Sequence, residues 1–408
     1  MKKKQQSCNK SDETHVENKE REQNHFSFSR SVSEDMACRG SGICVAVFDN
    51  QQKLAAVVRA AIRESVRSFR ELPTLISFLQ QTKNTVIIIT TINHNDTFQL
   101  LESIDSVEAV FLLSIVDKDL STYPSKVVGV YVQTETLLQA LPETLETIDM
   151  QLNARSILVN RQLDRRDDIE FYFYDIWKQE QSRRKHSKIS FVSQARLLFP
   201  SNSQIQYLID DFEDTYKPTD VLLWLNTTRM AFPYHVLISH ALRTHNQTIL
   251  SSARFFLRHL DRHLQPMPNG QVYFGTKLPI QRVKRLQQHR QEDAVAFQCF
   301  LPVSYSRSNA LTQATKLSRR KNLASVLFKI ECNGAPCLPL GDRFLLDMAT
   351  PFYIQYVTRT MGMNGSQGEL IIIKLNALKT SEREKILEEF LARQEKLKRK
   401  TLTTPRVK

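Results

Sequence analysis

The sequence has no apolar run long enough to cross a bilayer. Its longest, Val86 to Ile92, is strand-sized, where a spanning helix needs about twenty residues. The N-terminus, Met1-Lys2-Lys3-Lys4, runs on into polar and charged residues and lacks the apolar stretch of a secretory signal. A cytoplasmic or nuclear address is expected. The six cysteines (Cys8, Cys38, Cys44, Cys299, Cys332, Cys337) have no histidines at zinc-like spacing. Cys332 and Cys337 stand further apart than a Cys-x-x-Cys knuckle and have no second pair, so reduced thiols are expected and no metal. There is no Gly-x-Ser-x-Gly elbow for a serine hydrolase. Glycine is sparse, at 10 residues in 408, and the turn after the first apolar strand reads Asp49-Asn50-Gln51-Gln52. That turn has no glycine to bring a backbone close to phosphate. No helix-turn-helix, aromatic RNA-binding signature or internal repeat is present.

What is present is positive charge, a formal +13. It falls in separated clusters, Arg183-Arg184-Lys185, Arg319-Arg320-Lys321 and Lys396 to Lys400. Specific nucleic-acid readout is not expected from them. A basic adaptor that meets nucleic acid through its arms and insertions is a third reading, after the two developed below.

The chain is longer than one core usually supports, so two domains are expected. Residues 1–40 are polar and of mixed charge and read as a disordered arm. Residues 41–150 read as an α/β domain. Apolar strands at Ile43 to Phe48, Val86 to Thr91, Ala109 to Ser114 and Val127 to Val132 alternate with helical stretches such as Lys53 to Val66. One more short strand near Phe69 would complete a parallel, flavodoxin-like or receiver-like sheet. Asp49, Asn93, His94 and Asp117 would then stand at the carboxyl ends of its strands. The central strand lacks the Asp of a phosphoacceptor, so a structural or partner-binding role is expected. Residues 151–198 read as a charged linker with an aromatic island, Phe171-Tyr172-Phe173-Tyr174. Residues 199–378 read as an α+β domain, with helical periodicity through Leu264 and short strands after Gly270. Residues 379–408 read as a basic helix and tail, opened by a capping-box pattern at Ser381-Glu382-Arg383-Glu384. The expected apolar face there is Ile386, Leu387, Phe390 and Leu391. His259 and His263 are one turn apart, but no Glu stands between them, and an exposed helix face explains them.

Within 199–378 the order of signals resembles the arginine-specific, cholera-toxin-like mono-ADP-ribosyltransferases. Val272-Tyr273-Phe274-Gly275 looks like the family's Val-Tyr-Arg-Gly strand, and Phe297 to Ser304 like its Ser-Phe-x-Ser-Thr-Ser strand. Ala324 to Ile330 resembles the strand before the catalytic loop, and Gly341 to Ile354 the Glu-x-Glu segment with the strand after it. The α/β unit, with Lys126 to Tyr131, resembles a domain that accompanies such modules. The resemblance implies an NAD site at Tyr273, Phe274, Gly275, Lys277 and Ser304.

Carried over by position, the family's phosphate-holding Arg is Phe274, its first Ser is Pro302 and its catalytic Glu is Arg343, with Gly341 at the paired acid. Phe274 offers no guanidinium for phosphate, Pro302 no hydroxyl for ribose, and Arg343 puts a cation beside a developing oxocarbenium-like charge. The first reading is therefore a degenerate, non-catalytic module that binds a protein partner, with NAD as the ligand of the ancestral site. The second is an active protein-arginine transferase with a displaced acid. It would use Asp342, one residue out of register, or Asp347, with Lys277 as the compensating cation.

Overall fold

The computed structural model describes residues 42–49, 53–62, 65–82, 84–114, 120–155, 157–160, 188–198, 203–226, 238, 241, 246–288, 294–315, 322–341, 343–348, 350–361, 369–379, 381–385, 387–389 and 391–392. Several expectations lie outside them. These are the 1–40 arm, Asp117, the 171–174 aromatic island, Asp342, Ile386, Phe390 and the three basic clusters.

The first sheet has five parallel strands, β1 (Ile43–Phe48), β2 (Ser65–Phe69), β3 (Thr85–Thr90), β4 (Val107–Leu113) and β5 (Val127–Tyr131), in the order β2-β1-β3-β4-β5. That is one of the two common doubly wound orders. Helices α1 (Lys53–Ala61), α2 (Leu72–Gln81), α3 (Asn95–Ser103) and α4 (Thr134–Arg155) alternate with the strands. The unbroken apolar runs result from burial on both faces. Ile43, Val45 and Val47 point to α1 and α4, while Ala46 and Phe48 join the core that holds residues of α2 and α3. The helix expected to reach Val66 stops at Ala61, and Val66 instead pairs with Val45 in β2. The strand expected near Phe69 is this β2. At Gly129 the Tyr131 ring folds back across the backbone and stacks on Phe111 at 5.9 Å. A Cβ there would stand 2.4 Å from that ring.

Helix α4 belongs to two cores. Leu137, Leu141, Leu145 and Ile148 pack on the first sheet, whereas Ala154 packs with Ile157 of β6 (Ile157–Asn160) in the next. The boundary expected at residue 150 therefore falls inside a helix. The expected linker 151–198 opens with strand β6 and closes with helix α5 (Lys188–Leu198).

Helices α5, α6 (Ser203–Thr215), α7 (Val221–Asn226) and α8 (Gln247–Asp261) share an aromatic core of Phe191, Phe212, Phe255 and Phe256. Asn246 starts α8, its side chain accepting the Ile249 N–H at 3.2 Å. The remaining strands are β7 (Gln265–Pro266), β8 (Gln271–Pro279), β9 (Ala294–Phe297), β10 (Leu301–Val303), β11 (Leu323–Glu331), β12 (Pro336–Leu340), β13 (Arg343–Leu346), β14 (Pro351–Met361) and β15 (Glu369–Ala377). They form a six-stranded mixed sheet, β6-β9-β14-β15-β11-β8, and a four-stranded sheet, β10-β13-β12-β7. Helices α9 (Ile280–Gln287) and α10 (Arg307–Thr315) complete the lobe. Apolar side chains of both sheets meet in one core, with Phe274, Phe297, Phe328 and Phe352 from one sheet and Leu301, Val303, Cys337 and Leu346 from the other.

After β15 the capping box is displaced. Ser381 is already helical, and Glu382 Oε2 accepts the Lys379 N–H at 3.1 Å. Leu387 is buried and Leu391 half-buried, as expected of the apolar face.

Candidate functional site

Strand β8 sends alternate residues to opposite sides. Val272, Phe274 and Leu278 enter the core between the sheets. Phe274 is 3% exposed, stacks on Phe328 at 6.0 Å and meets Phe297 edge-on at 6.4 Å. Tyr273, Gly275 and Lys277 project the other way. Lys277, expected as a cation beside Phe274, is three residues along the strand and so on the opposite face. Its Nζ donates to Ser325 Oγ, directly across the ladder, at 3.0 Å, and burial pulls the ammonium below the usual lysine range. Gly275 lies under α10 so closely that a Cβ would fall 1.7 Å from the Ala310 carbonyl oxygen.

The strand expected over Phe297 to Ser304 is split. Phe297 ends β9 in the larger sheet, and Leu301 to Val303 form β10 in the smaller one. Pro302 lies opposite Leu345. Tyr273 and Ser304 exchange backbone hydrogen bonds of 2.8 and 3.1 Å. The Ser304 hydroxyl accepts the Ser306 N–H at 3.0 Å and so shapes the turn into α10.

The expected acid segment is a tight hairpin. Leu340 pairs with Arg343, and Gly341 after Leu340 has φ 65°, a left-handed conformation that favours glycine. Arg343 is exposed. Asp347 is 4% exposed; its Oδ1 accepts the Met348 N–H at 2.9 Å, and its carbonyl accepts the Thr350 hydroxyl at 2.7 Å. It holds the turn between β13 and β14.

The fold thus brings β8, β10 and β13 side by side. Tyr273 bridges Ser304, and the pair Val303 and Phe344 carries Ser304 to the level of Arg343. Phe274 and Lys277 leave that line in opposite directions.

At the carboxyl ends of the first sheet, Asp49 accepts the Leu54 N–H at 3.3 Å and the Thr91 hydroxyl at 3.4 Å, which ties α1 to β3. Asn93 Oδ1 accepts the Tyr123 hydroxyl at 3.3 Å, and His94 is exposed. In α8 the sequence reading missed a pairing. His259, expected on an exposed face, bonds the Tyr216 hydroxyl through Nδ1 at 2.7 Å. Only the aromatic spacing of Phe212, Tyr216, Phe255 and His259 hints at it. No group of three metal-ligating side chains occurs among the described residues. Cys332 and Cys337 are free buried thiols, Cys332 pushed up to about 12 by burial and Cys337 raised by the same cause.

No protein-family model matches the chain, and no curated protein matches it. Among solved structures, the type III effector XopAI from Xanthomonas axonopodis pv. citri is 12% identical over 52% of this chain and 92% of its own, with a TM-score of 0.30. The ADP-ribosyltransferase Vis, solved in complex with M6 inhibitor, is 14% identical over 54% of this chain and 89% of its own, at 0.23. Plx2a, an ADP-ribosyltransferase toxin from Paenibacillus larvae, is 13% identical over 50% and 91%, at 0.22. No helix among the described residues is long and apolar enough to cross a membrane.

Proposed function

We propose that residues 199–378 are a degenerate ADP-ribosyltransferase-like module that binds a protein partner and transfers no ADP-ribose. The observation that carries this is the fate of β8. The residue in the family's arginine position is an aromatic ring stacked inside a dry core, and the nearest lysine is turned to the other face and bonded to Ser325. A dinucleotide's phosphates would find no cation from either residue. Asp347, the displaced acid of the active reading, is occupied in a turn. The first sheet is proposed as a receiver-like unit without phosphotransfer, its Asp49 spent on capping α1 and bonding Thr91.

The test is thermal unfolding of the full chain with and without millimolar NAD, followed by a nicotinamide-release assay in the same buffer. No shift and no release are expected. A concentration-dependent rise in melting temperature together with released nicotinamide would overturn the proposal and direct mutation to Asp342 and Asp347.

A further inference from the structure

The outer face of the six-stranded sheet changes character row by row. Across β8, β11, β15 and β14, one row reads Gly275, Leu327, Ile372 and Thr358. Helix α10 covers its Leu327 and Ile372 through Ala310 and Ala314, and Tyr273 of the next row packs against the same cluster, while Thr358 is exposed. The next row reads Tyr273, Lys329, Lys374 and Tyr356. Their strand neighbours Phe274, Phe328, Ile373 and Val357 all pack in the inter-sheet core, so these four side chains share the outer face. The bulge between Ile354 and Tyr356 keeps Tyr356 in step with the row. Two lysines thus stand directly opposite each other on adjacent strands, an arrangement that repels.

Glu331, in the adjoining row, offsets part of that charge. Its Oε1 is 3.7 Å from Lys374 Nζ and also accepts Gln271 Nε2 at 2.8 Å. Lys329 has no ion-pair partner among the described residues. Beside Glu331, Asn376 presents an Oδ1 that is buried and lacks a hydrogen-bond partner among the described residues. Tyr356 is 38% exposed. The charge of this lobe points the same way. Residues 265–379 hold 15 Lys and Arg against 6 Asp and Glu, a net +9 out of the chain's +13.

From this row we propose that the outer face is a platform for single-stranded nucleic acid. Lys329 and Lys374 meet the phosphates, and the exposed Tyr356 stacks a base. Two strand spacings separate Lys329 from Tyr356, about 10 Å, which suits an extended strand of a few nucleotides lying across the sheet. Aromatic stacking is tolerant of sequence, so binding without strong sequence preference is expected. Lys329, Lys374 and Tyr356 are none of the residues implied for the NAD site, so the proposal stands whatever the NAD assay returns.

The test is fluorescence anisotropy of the full chain with a short fluorescein-labelled oligothymidylate. The same-length duplex and phosphatidylserine vesicles serve as competitors. Lys329→Gln with Lys374→Gln is expected to weaken binding about tenfold or more and to flatten the plot of log affinity against log salt by about 1.4, the loss of two single-strand phosphate contacts. Tyr356→Ala should weaken it about fivefold. Lys284→Gln with Arg285→Gln on α9 removes the same charge elsewhere and should change it less than about threefold. Lys329→Arg with Lys374→Arg keeps the cations and should bind like the parent, which separates lost charge from lost fold. Absence of binding, equal weakening by the α9 pair, failure of the arginine pair to bind, or equal competition by duplex or vesicles would each overturn the proposal.

Discussion

Tyr216 and His259 show how burial sets a titration. His259 lies against Tyr216 and Phe255, and its pKa is lowered by burial first and then by the positive charges of Arg262, Arg258 and His263. Burial also raises the Tyr216 phenol, with Asp220 adding to the shift, so the pair is neutral at physiological pH. The sign comes from linkage. The unfolded ring takes a proton near pH 6.5 and the folded ring only below that, so the unfolded state holds more protons in the window between. Stability from this pair is complete above about pH 6.5 and falls as pH drops through the folded value. Melting temperature tracked from pH 8 down to pH 5 should therefore decline more steeply in the parent than in His259→Gln. Parallel curves would show that the ring does not titrate with folding.

Elements here are positioned by close approach as much as by apolar burial. Helix α10 comes down on β8 at Gly275, where a Cβ would overlap the Ala310 carbonyl. The obstacle is backbone, which cannot rotate aside, so the helix itself must lift. Gly275→Ala is expected to lower stability by about 1–3 kcal/mol, read as a shift in denaturant midpoint. An unchanged midpoint would mean that α10 packs more loosely than this geometry. Glycine at 275 thus serves the packing of the helix, and Phe274 beside it faces the inter-sheet core, where its ring stacks on Phe328.

Across the whole molecule, α4 couples the two sheets. Leu141 is fully buried against the first sheet, and Ala154, farther along the same helix, packs in the core of the second. The helix continues through Pro142 without ending. Loss of the first core should therefore be felt in the second lobe. In a Trp177→Phe background, the fluorescence of Trp224 reports on α7, where its ring meets Phe212 edge-on at 5.0 Å. Leu141→Ala removes buried volume worth about 2–5 kcal/mol and should lower the Trp224 midpoint together with the far-UV transition. A Trp224 midpoint that stays fixed while the circular dichroism splits into two steps would separate the lobes.

The sequence by itself determined the first sheet. Continuous apolar runs placed β1, β3, β4 and β5 to within a residue or two, because strands buried on both faces need no partner pattern to be recognised. It also located β8, β11 and β15. Only the tertiary structure decided the rest. The last turn of helix α4 and strand β6 hid in a stretch read as linker, since a four-residue edge strand carries too little periodicity to register. The row of Tyr273, Lys329, Lys374 and Tyr356 comes from four separate strands, with Tyr273 and Lys374 standing 101 positions apart in the chain. Register across a sheet is fixed by hydrogen bonding between distant segments, and no local pattern records it.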